Sequence, residues 1–293
     1  MAVDAPPCAP PDPNPKKPKL VAPAGTCDTH AHVFGPQNRY PYSPARGYTP
    51  PDAPYEAYRA LHAALGVERG VLTQPSVYGT DNTAMLDAVA RDPENLRAVA
   101  AVGADVTDAE LKRLHEAGAR GIRVNLVDKG GMPFDSFADV ETFAARVVPM
   151  GWHIEYLVHV HDFPDLDVLG RLPADSVIGH FGYMHISNGV DHPGFQSFLR
   201  LFEKGRVWIK MTAPYRITAR ETVPYDDIEP IAKALRETRP DRLLWGTDWP
   251  HPINPKPMAN DGDMFDHFAE WLPDENLRRQ VMAENPKALY GFD

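Results

Sequence analysis

Short apolar segments alternate with amphipathic segments along the chain, from about residue 25 to the C-terminus. The apolar segments have the length of buried strands, and the segments between them carry apolar residues at helical spacing. The predicted strands span residues 26–33, 69–75, 98–103, 121–126, 153–158, 177–180, 207–211 and 243–246. Eight strands that alternate with helices predict an α/β protein that folds as a single (β/α)8 TIM barrel.

The amphipathic segments begin and end at residues that are typical of helix ends. The segment 55–65 stops before Gly66, and the segment 108–117 begins with an acidic residue and stops before Gly118. Further helices are predicted over residues 82–91, 136–148, 165–170, 194–204, 226–238 and 264–271, with a closing helix from residue 275. An open doubly wound sheet is the alternative. It lacks support because no Gly-x-Gly-x-x-Gly motif follows the first strand.

The first 24 residues differ from the rest of the chain. They are rich in proline, contain Lys16, Lys17 and Lys19, and have no apolar central segment. This composition is typical of an extended or poorly ordered arm and not of a secretory signal. We therefore expect an N-terminal arm over residues 1–24 and a catalytic barrel over residues 25–293.

The composition and net charge limit which binding partners and which cellular location are expected. The net charge is −10 with no basic stripe, which disfavours nucleic-acid binding and leaves a small molecule as the expected partner. No apolar run approaches the roughly 18 residues of a membrane span. Cys8 and Cys27 are the only cysteines, so no disulfide framework is predicted, and a reducing cytoplasm is the expected location. These numbers do not predict an oligomeric state.

Histidine and aspartate occur at the ends of three predicted strands. His30 and His32 form a His-x-His pattern at the end of the first strand, His180 ends the sixth, and Asp248 follows the eighth. Residues two apart on a strand share a face, and the C-terminal strand ends of a barrel converge on one pocket. Such a cluster is suited either to bind a metal or to polarise a substrate carbonyl.

Further polar residues follow the same strand ends and are candidates for substrate binding. Arginine is suited to bidentate docking of a carboxylate, and hydroxyl groups add neutral hydrogen bonds. The candidates are Ser76, Arg123, Lys129, Tyr156, Tyr183, Tyr215 and Arg216.

Four sequence runs resemble the amidohydrolase superfamily, and within it the branch that contains 2-pyrone-4,6-dicarboxylate lactonase. The runs are residues 28–36, 79–82, 120–125 and 245–251. The resemblance extends from about residue 25 to the C-terminus. It implies a hydrolase that opens the lactone ring of a carboxylated intermediate of aromatic breakdown, and that works without a metal.

The resemblance also bears on a metal cofactor. Most amidohydrolases complete a metal site with a Lys, Glu or His from strands four and five, where this chain is expected to offer Arg123 and Tyr156. We therefore expect no cofactor. The alternative is one Zn²⁺ bound by His30, His32, His180 and Asp248.

A hydrolytic mechanism follows from the residue types. Asp248 is taken as the only strand-end carboxylate and hence as the general base for water. His30, His32 and His180 are expected to surround the carbonyl oxygen and to stabilise the oxyanion.

One position departs from the lactonase pattern. The family carries an arginine after the strand-six His-x-Gly, whereas this chain has Tyr183, so we expect one anion contact to be weaker. A sulfomuconolactone hydrolase is therefore an alternative. The same residues are also compatible with a sugar-acid lactone isomerase, a Zn²⁺-dependent aromatic acid decarboxylase or a non-catalytic binding protein.

Overall fold

The computed structural model describes residues 5–127, 134, 136–164 and 166–293. Eight parallel strands form one sheet in which each strand pairs with the next along the chain. The strands are β1 Cys27–Ala31, β2 Arg69–Thr73, β3 Leu96–Ala100, β4 Ala119–Asn125, β5 His153–Leu157, β6 Ser176–Ile178, β7 Val207–Met211 and β8 Leu243–Trp245. The prediction of a (β/α)8 barrel is confirmed.

Helices follow the strands at most of the predicted positions. They are α1 Tyr55–Leu65, α2 Thr83–Val89, α3 Asp108–Glu116, α4 Phe137–Val147, α5 Val168–Arg171, α6 Pro193–Lys204, α7 Glu229–Thr238, α8 Asp261–Trp271, α9 Glu275–Arg279 and α10 Asn285–Tyr290. Helix α8 begins three residues earlier than predicted because the Asn260 side chain accepts from the Gly262 amide and caps it. The predicted start of the fifth helix, residue 165, lies outside the described residues.

Hydrogen bonds between the first and last strands close the barrel. The His32 amide donates to the Trp249 carbonyl, and the Asp248 amide donates to the His30 carbonyl, both at 2.8 Å. Below them, the buried Asp28 carboxylate accepts from the backbone amide of Thr247 at 2.8 Å and from its hydroxyl at 2.6 Å. The closure therefore fixes Asp248 relative to the His-x-His segment.

The barrel interior is apolar towards the N-terminal ends of the strands. This apolar floor consists of Cys27, Val71, Val99, Val177, Trp208, Leu244, Tyr290 and Phe292. Tyr290 and Phe292 come from the C-terminal segment. The floor therefore fills the end of the barrel that lies opposite the C-terminal strand ends.

The described part of the N-terminal arm is extended and is bonded to the barrel. The Cys8 amide donates to the Thr49 carbonyl at 2.9 Å. The backbone amides of Lys16 and Leu20 donate to the side chains of Asn260 and Asp266, both at 2.9 Å. The division of the chain at residue 24 stays a prediction. In the described part of the chain, the helices are too short or too polar to cross a membrane.

Candidate active site

The structure brings the four predicted catalytic side chains together at the C-terminal ends of the strands. His30 belongs to β1 and His32 follows it, His180 follows β6, and Asp248 follows β8. All four are buried. His180 and Asp248 have φ angles of 53° and 60°, in the left-handed region that costs free energy for residues other than glycine. Such strain is concentrated at functional sites.

One carboxylate oxygen of Asp248 faces all three imidazoles. Its Oδ1 lies 3.4 Å from His30 Nε2, 3.6 Å from His32 Nε2 and 4.0 Å from His180 Nε2. The ring centroid of His30 lies 5.0 Å from that of His32 and 4.8 Å from that of His180. A group bound beside this oxygen would therefore contact several ring nitrogens.

The second carboxylate oxygen of Asp248 is held by a phenol and a guanidinium. The Tyr215 hydroxyl donates to Oδ2, and Arg216 Nη2 lies 3.6 Å from it. Burial alone would raise the pKa of Asp248, but the positive charge of the neighbouring Arg216 holds it well below the usual value. Asp248 is therefore a carboxylate at neutral pH. Tyr215 contacts the expected base, and its role in substrate binding stays a prediction.

Burial keeps two of the imidazoles neutral. It lowers the pKa of His30 to about 4, assisted by the Lys210 ammonium, and lowers the pKa of His180 well below its usual value. The His180 ring is oriented by a 2.7 Å hydrogen bond between Nδ1 and Thr212 Oγ1.

The environment of His32 determines which ring nitrogen carries its proton. Its Nδ1 lies 2.7 Å from the Thr73 carbonyl oxygen, which can only accept, so Nδ1 carries the proton. In the tautomer with this proton on Nδ1, Nε2 offers a lone pair and would accept a proton. The prediction that His30, His32 and His180 stabilise the oxyanion stays a prediction.

The structure also corrects the expectation for strand five. Glu155 is fully buried, its Oε1 lies 3.1 Å from His30 Nδ1, and it forms an ion pair with Lys210 of β7. Asp248 is therefore not the only carboxylate at the cluster. The sequence pattern did not indicate Glu155, because this residue lies within an apolar run and not at its end. Tyr156, predicted to bind substrate, alternates with Glu155 and packs in the hydrophobic cluster outside the barrel interior.

Two arginines lie at the rim of the cluster. Arg123 Nη1 donates to the Gln74 carbonyl at 3.0 Å, and Arg216 Nη2 donates to the Pro252 carbonyl at 2.6 Å. The Nε atoms of both guanidiniums are buried, and neither has a hydrogen-bond partner among the residues that the structure describes. Buried donors of this kind are suited to bind an anion.

Three further side chains lie close to these arginines. The ring centre of Tyr183 is 5.3 Å from that of His180 and 6.0 Å from Arg216 Cζ. Tyr48, which sequence patterns did not single out, is buried beside Ser76, and its pKa is raised by burial against the opposing charges of Arg123 and Arg216. Tyr48 lies in a proline-rich loop, where no sequence periodicity predicts the direction of a side chain. The predicted contact Lys129 lies outside the described residues.

The cluster contains one possible metal site. One ligand atom each from His30, His180 and Asp248 lies within 4.8 Å of the others, and no further group of this kind occurs in the described part of the chain. Two imidazole nitrogens and a carboxylate oxygen are ligand types that Zn²⁺ accepts.

Curated relatives of this chain include lactone hydrolases. A 4-sulfomuconolactone hydrolase from Hydrogenophaga intermedia is 38% identical over 280 residues, which cover 93% of this chain and 91% of that protein. A 2-pyrone-4,6-dicarboxylate hydrolase from Comamonas testosteroni is 38% identical over 286 residues, 94% of this chain and 93% of that protein.

Solved structures and family models give the same grouping. A structure from Acinetobacter baumannii, described as a 2-pyrone-4,6-dicarboxylic acid hydrolase with citric acid bound, is 30% identical with a TM-score of 0.78. The alignment covers 92% of this chain and 100% of that one. The family model for amidohydrolases matches residues 27–292, so the chain belongs to the amidohydrolase family.

Proposed function

We propose that this protein hydrolyses the ring ester of a small carboxylated lactone. The observation that supports this most is an ionised Asp248 whose Oδ1 lies within 4.0 Å of three imidazoles, with two arginines at the rim whose Nε atoms are buried. The relatives that are 38% identical are named as lactone hydrolases. A ring of the 2-pyrone-4,6-dicarboxylate type is the leading substrate.

The first step is the attack of water on the lactone carbonyl. Asp248 Oδ1 accepts a proton from the water as the new C–O bond forms. The carbonyl oxygen becomes an oxyanion, which His30 and His180 stabilise by donating N–H groups. Tyr215 and Arg216 hold the opposite carboxylate oxygen, so that Oδ1 stays directed at the water.

The second step breaks the ring. The oxyanion collapses, the ring C–O bond breaks, and its electron pair leaves on the ring oxygen. The proton held by Asp248 passes to that oxygen. His32 is suited to carry it, because its Nε2 has a free lone pair and lies 3.6 Å from Asp248 Oδ1.

The arginines define the chemical class of the substrate. Arg123 and Arg216 would each pair with an anionic group on the lactone, with Tyr48 and Ser76 beside them. Because Tyr183 replaces an arginine expected from the family, the second anion contact depends more on Arg216. This favours sulfomuconolactone as a second candidate substrate, since one relative at the same identity is named for that activity.

We propose that the reaction needs no resident metal. Lys210 Nζ lies 3.3 Å from His30, and Arg216 lies 3.6 Å from Asp248, so a dication would meet two positive charges beside its ligands. If a cation did bind to His30, His180 and Asp248, it would supply polarisation of the carbonyl and a more acidic water.

The test measures ring opening by absorbance with 2-pyrone-4,6-dicarboxylate and 4-sulfomuconolactone. We expect an open-chain acid as product and the same rate after dialysis against a chelator. A ring-shifted lactone would instead indicate an isomerase, and loss of carbon dioxide a decarboxylase. Activity that is lost on chelation and restored by zinc would contradict the metal-free mechanism. Failure to open either ring would contradict the proposed substrate class.

A further inference from the structure

Two oppositely charged side chains lie inside the barrel directly behind His30. Lys210 and Glu155 are fully buried, and the lysine ammonium donates to Glu155 Oε2. Desolvation offsets much of the attraction in a buried ion pair, so such a pair is weak evidence for a role in stability. The steps of hydrolysis described above do not use it.

The atom that faces the pair is Nδ1 of His30. Lys210 Nζ lies 3.3 Å away in hydrogen-bonding geometry, and because an ammonium can only donate, this bond requires a lone pair on Nδ1. Glu155 Oε1 lies 3.1 Å from the same nitrogen, a competing contact that would place the proton on Nδ1. The lysine contact has the better hydrogen-bonding geometry and favours a ring whose proton lies on Nε2.

Nε2 of His30 points in the opposite direction, towards Asp248. It is buried, lies 3.4 Å from Asp248 Oδ1, and makes no hydrogen bond to the residues described. We propose that Lys210, held in place by Glu155, is a positioning residue that keeps the proton of His30 on Nε2, so that His30 donates to the oxyanion. The tautomer rests on geometry alone, whereas its use in catalysis rests on the proposed function.

His32 provides an internal contrast. Its Nδ1 faces the Thr73 carbonyl at 2.7 Å, which places the proton on Nδ1 and leaves the lone pair on Nε2. The two histidines share one side of the strand, yet an acceptor lies behind His32 and a donor behind His30. The same substrate would therefore meet a proton donor at His30 and a proton acceptor at His32.

The tautomers can be measured without substrate. In protein labelled with ¹⁵N in its histidine rings, protonated and unprotonated nitrogens have distinct chemical shifts, and the signals are assigned from their loss in His30→Asn and His32→Asn. We expect the resting wild type to carry the His30 proton on Nε2 and the His32 proton on Nδ1. A His30 proton on Nδ1 in the wild type would overturn the inference, and this measurement requires no change at Lys210.

Substitution of Lys210 then tests whether this residue sets the tautomer of His30. Lys210→Met should move the His30 proton to Nδ1, where Glu155 becomes its acceptor. It should lower kcat by ~10²-fold, as expected for loss of one oxyanion donor, while KM changes little. Adding Glu155→Gln should restore part of kcat, because the new amide N–H can donate to Nδ1. A purely structural pair predicts recovery of the free energy of unfolding with no change in the His30 tautomer, so the ring ¹⁵N shifts are recorded for both variants.

The control is Lys112→Met, which removes an exposed lysine of α3 and should leave kcat unchanged. If Lys210→Met keeps the wild-type kcat, the inference is wrong and the proposed lactonase activity stands. If the wild type itself opens no lactone, the proposed function is wrong, and the ring spectra still decide the tautomer.

Discussion

The two halves of the barrel interior are equally buried but are filled with different chemistry. The floor, with Val71, Leu244 and Tyr290, is apolar, whereas the mouth holds the carboxylate of Asp248 and the ring of His30. Burial of apolar surface stabilises the fold, but burial of charged groups costs free energy unless they are paired. The floor should therefore respond to substitution with lost stability, and the mouth with lost turnover.

The largest expected effect is at the mouth. Asp248→Asn keeps the shape of the side chain but cannot accept the proton of water, so kcat should fall about 10²–10⁴-fold. The free energy of unfolding should change little, and substrate should still bind. Steady-state kinetics and equilibrium unfolding measure the two quantities. Turnover close to wild type would move the base role to a histidine.

The floor should show the reverse response. Leu244 is fully buried, so Leu244→Ala should lower the free energy of unfolding by ~2–5 kcal/mol while kcat of the folded protein is retained. Val21→Ala, which changes an exposed side chain, is the control and should have almost no effect. A stable Leu244→Ala protein with reduced kcat would show that the floor also shapes the site.

A smaller effect is expected where the mouth binds an anion. Arg123→Met removes a charge-assisted hydrogen bond worth roughly 1.5–3 kcal/mol. KM should then rise by about 10–150-fold, with a smaller change in kcat. Arg113→Met, on the exposed surface of α3, is the matched control. An unchanged KM would mean that Arg123 holds only the Gln74 carbonyl.

The smallest expected effect concerns which of two lactones the site prefers. Tyr183→Arg should raise kcat/KM for 2-pyrone-4,6-dicarboxylate relative to a monocarboxylate lactone, because a guanidinium pairs with a second carboxylate. The measurement is the ratio of kcat/KM for the two substrates in the two proteins. A ratio that does not move would show that Tyr183 does not face the substrate.

Sequence patterns predicted the barrel and the catalytic cluster for a definite reason. Strand ends in a parallel barrel converge, so His30, His180 and Asp248 could be placed together from their positions alone. The groups that contact a side chain on the side away from the pocket depend on strand register and on segments distant in sequence. For that reason, the carbonyl behind His32, the lysine behind His30 and the inward direction of Glu155 were not predictable from the local pattern.

The sequence does not show which side chains of a fully buried strand point into the barrel. All residues of β5, His153–Leu157, are buried, so the burial pattern does not distinguish the inward Glu155 from the outward Tyr156 that the sequence pattern predicted as a site residue. Tyr48 lies in a loop, where no periodicity predicts the direction of a side chain. Both cases required the three-dimensional register.

The hydrogen bonds that close the barrel join the beginning of the chain to a segment near its end, and the active site lies at this junction. Asp28 and Thr247, which are joined by two of these bonds, lie 219 positions apart, so they can meet only after the chain has been synthesised beyond Thr247. Contacts of such long sequence separation form slowly, because the loop entropy is lost before the contact is gained. During synthesis on the ribosome, the chain is therefore inactive until its last strand has emerged and packed against its first strand.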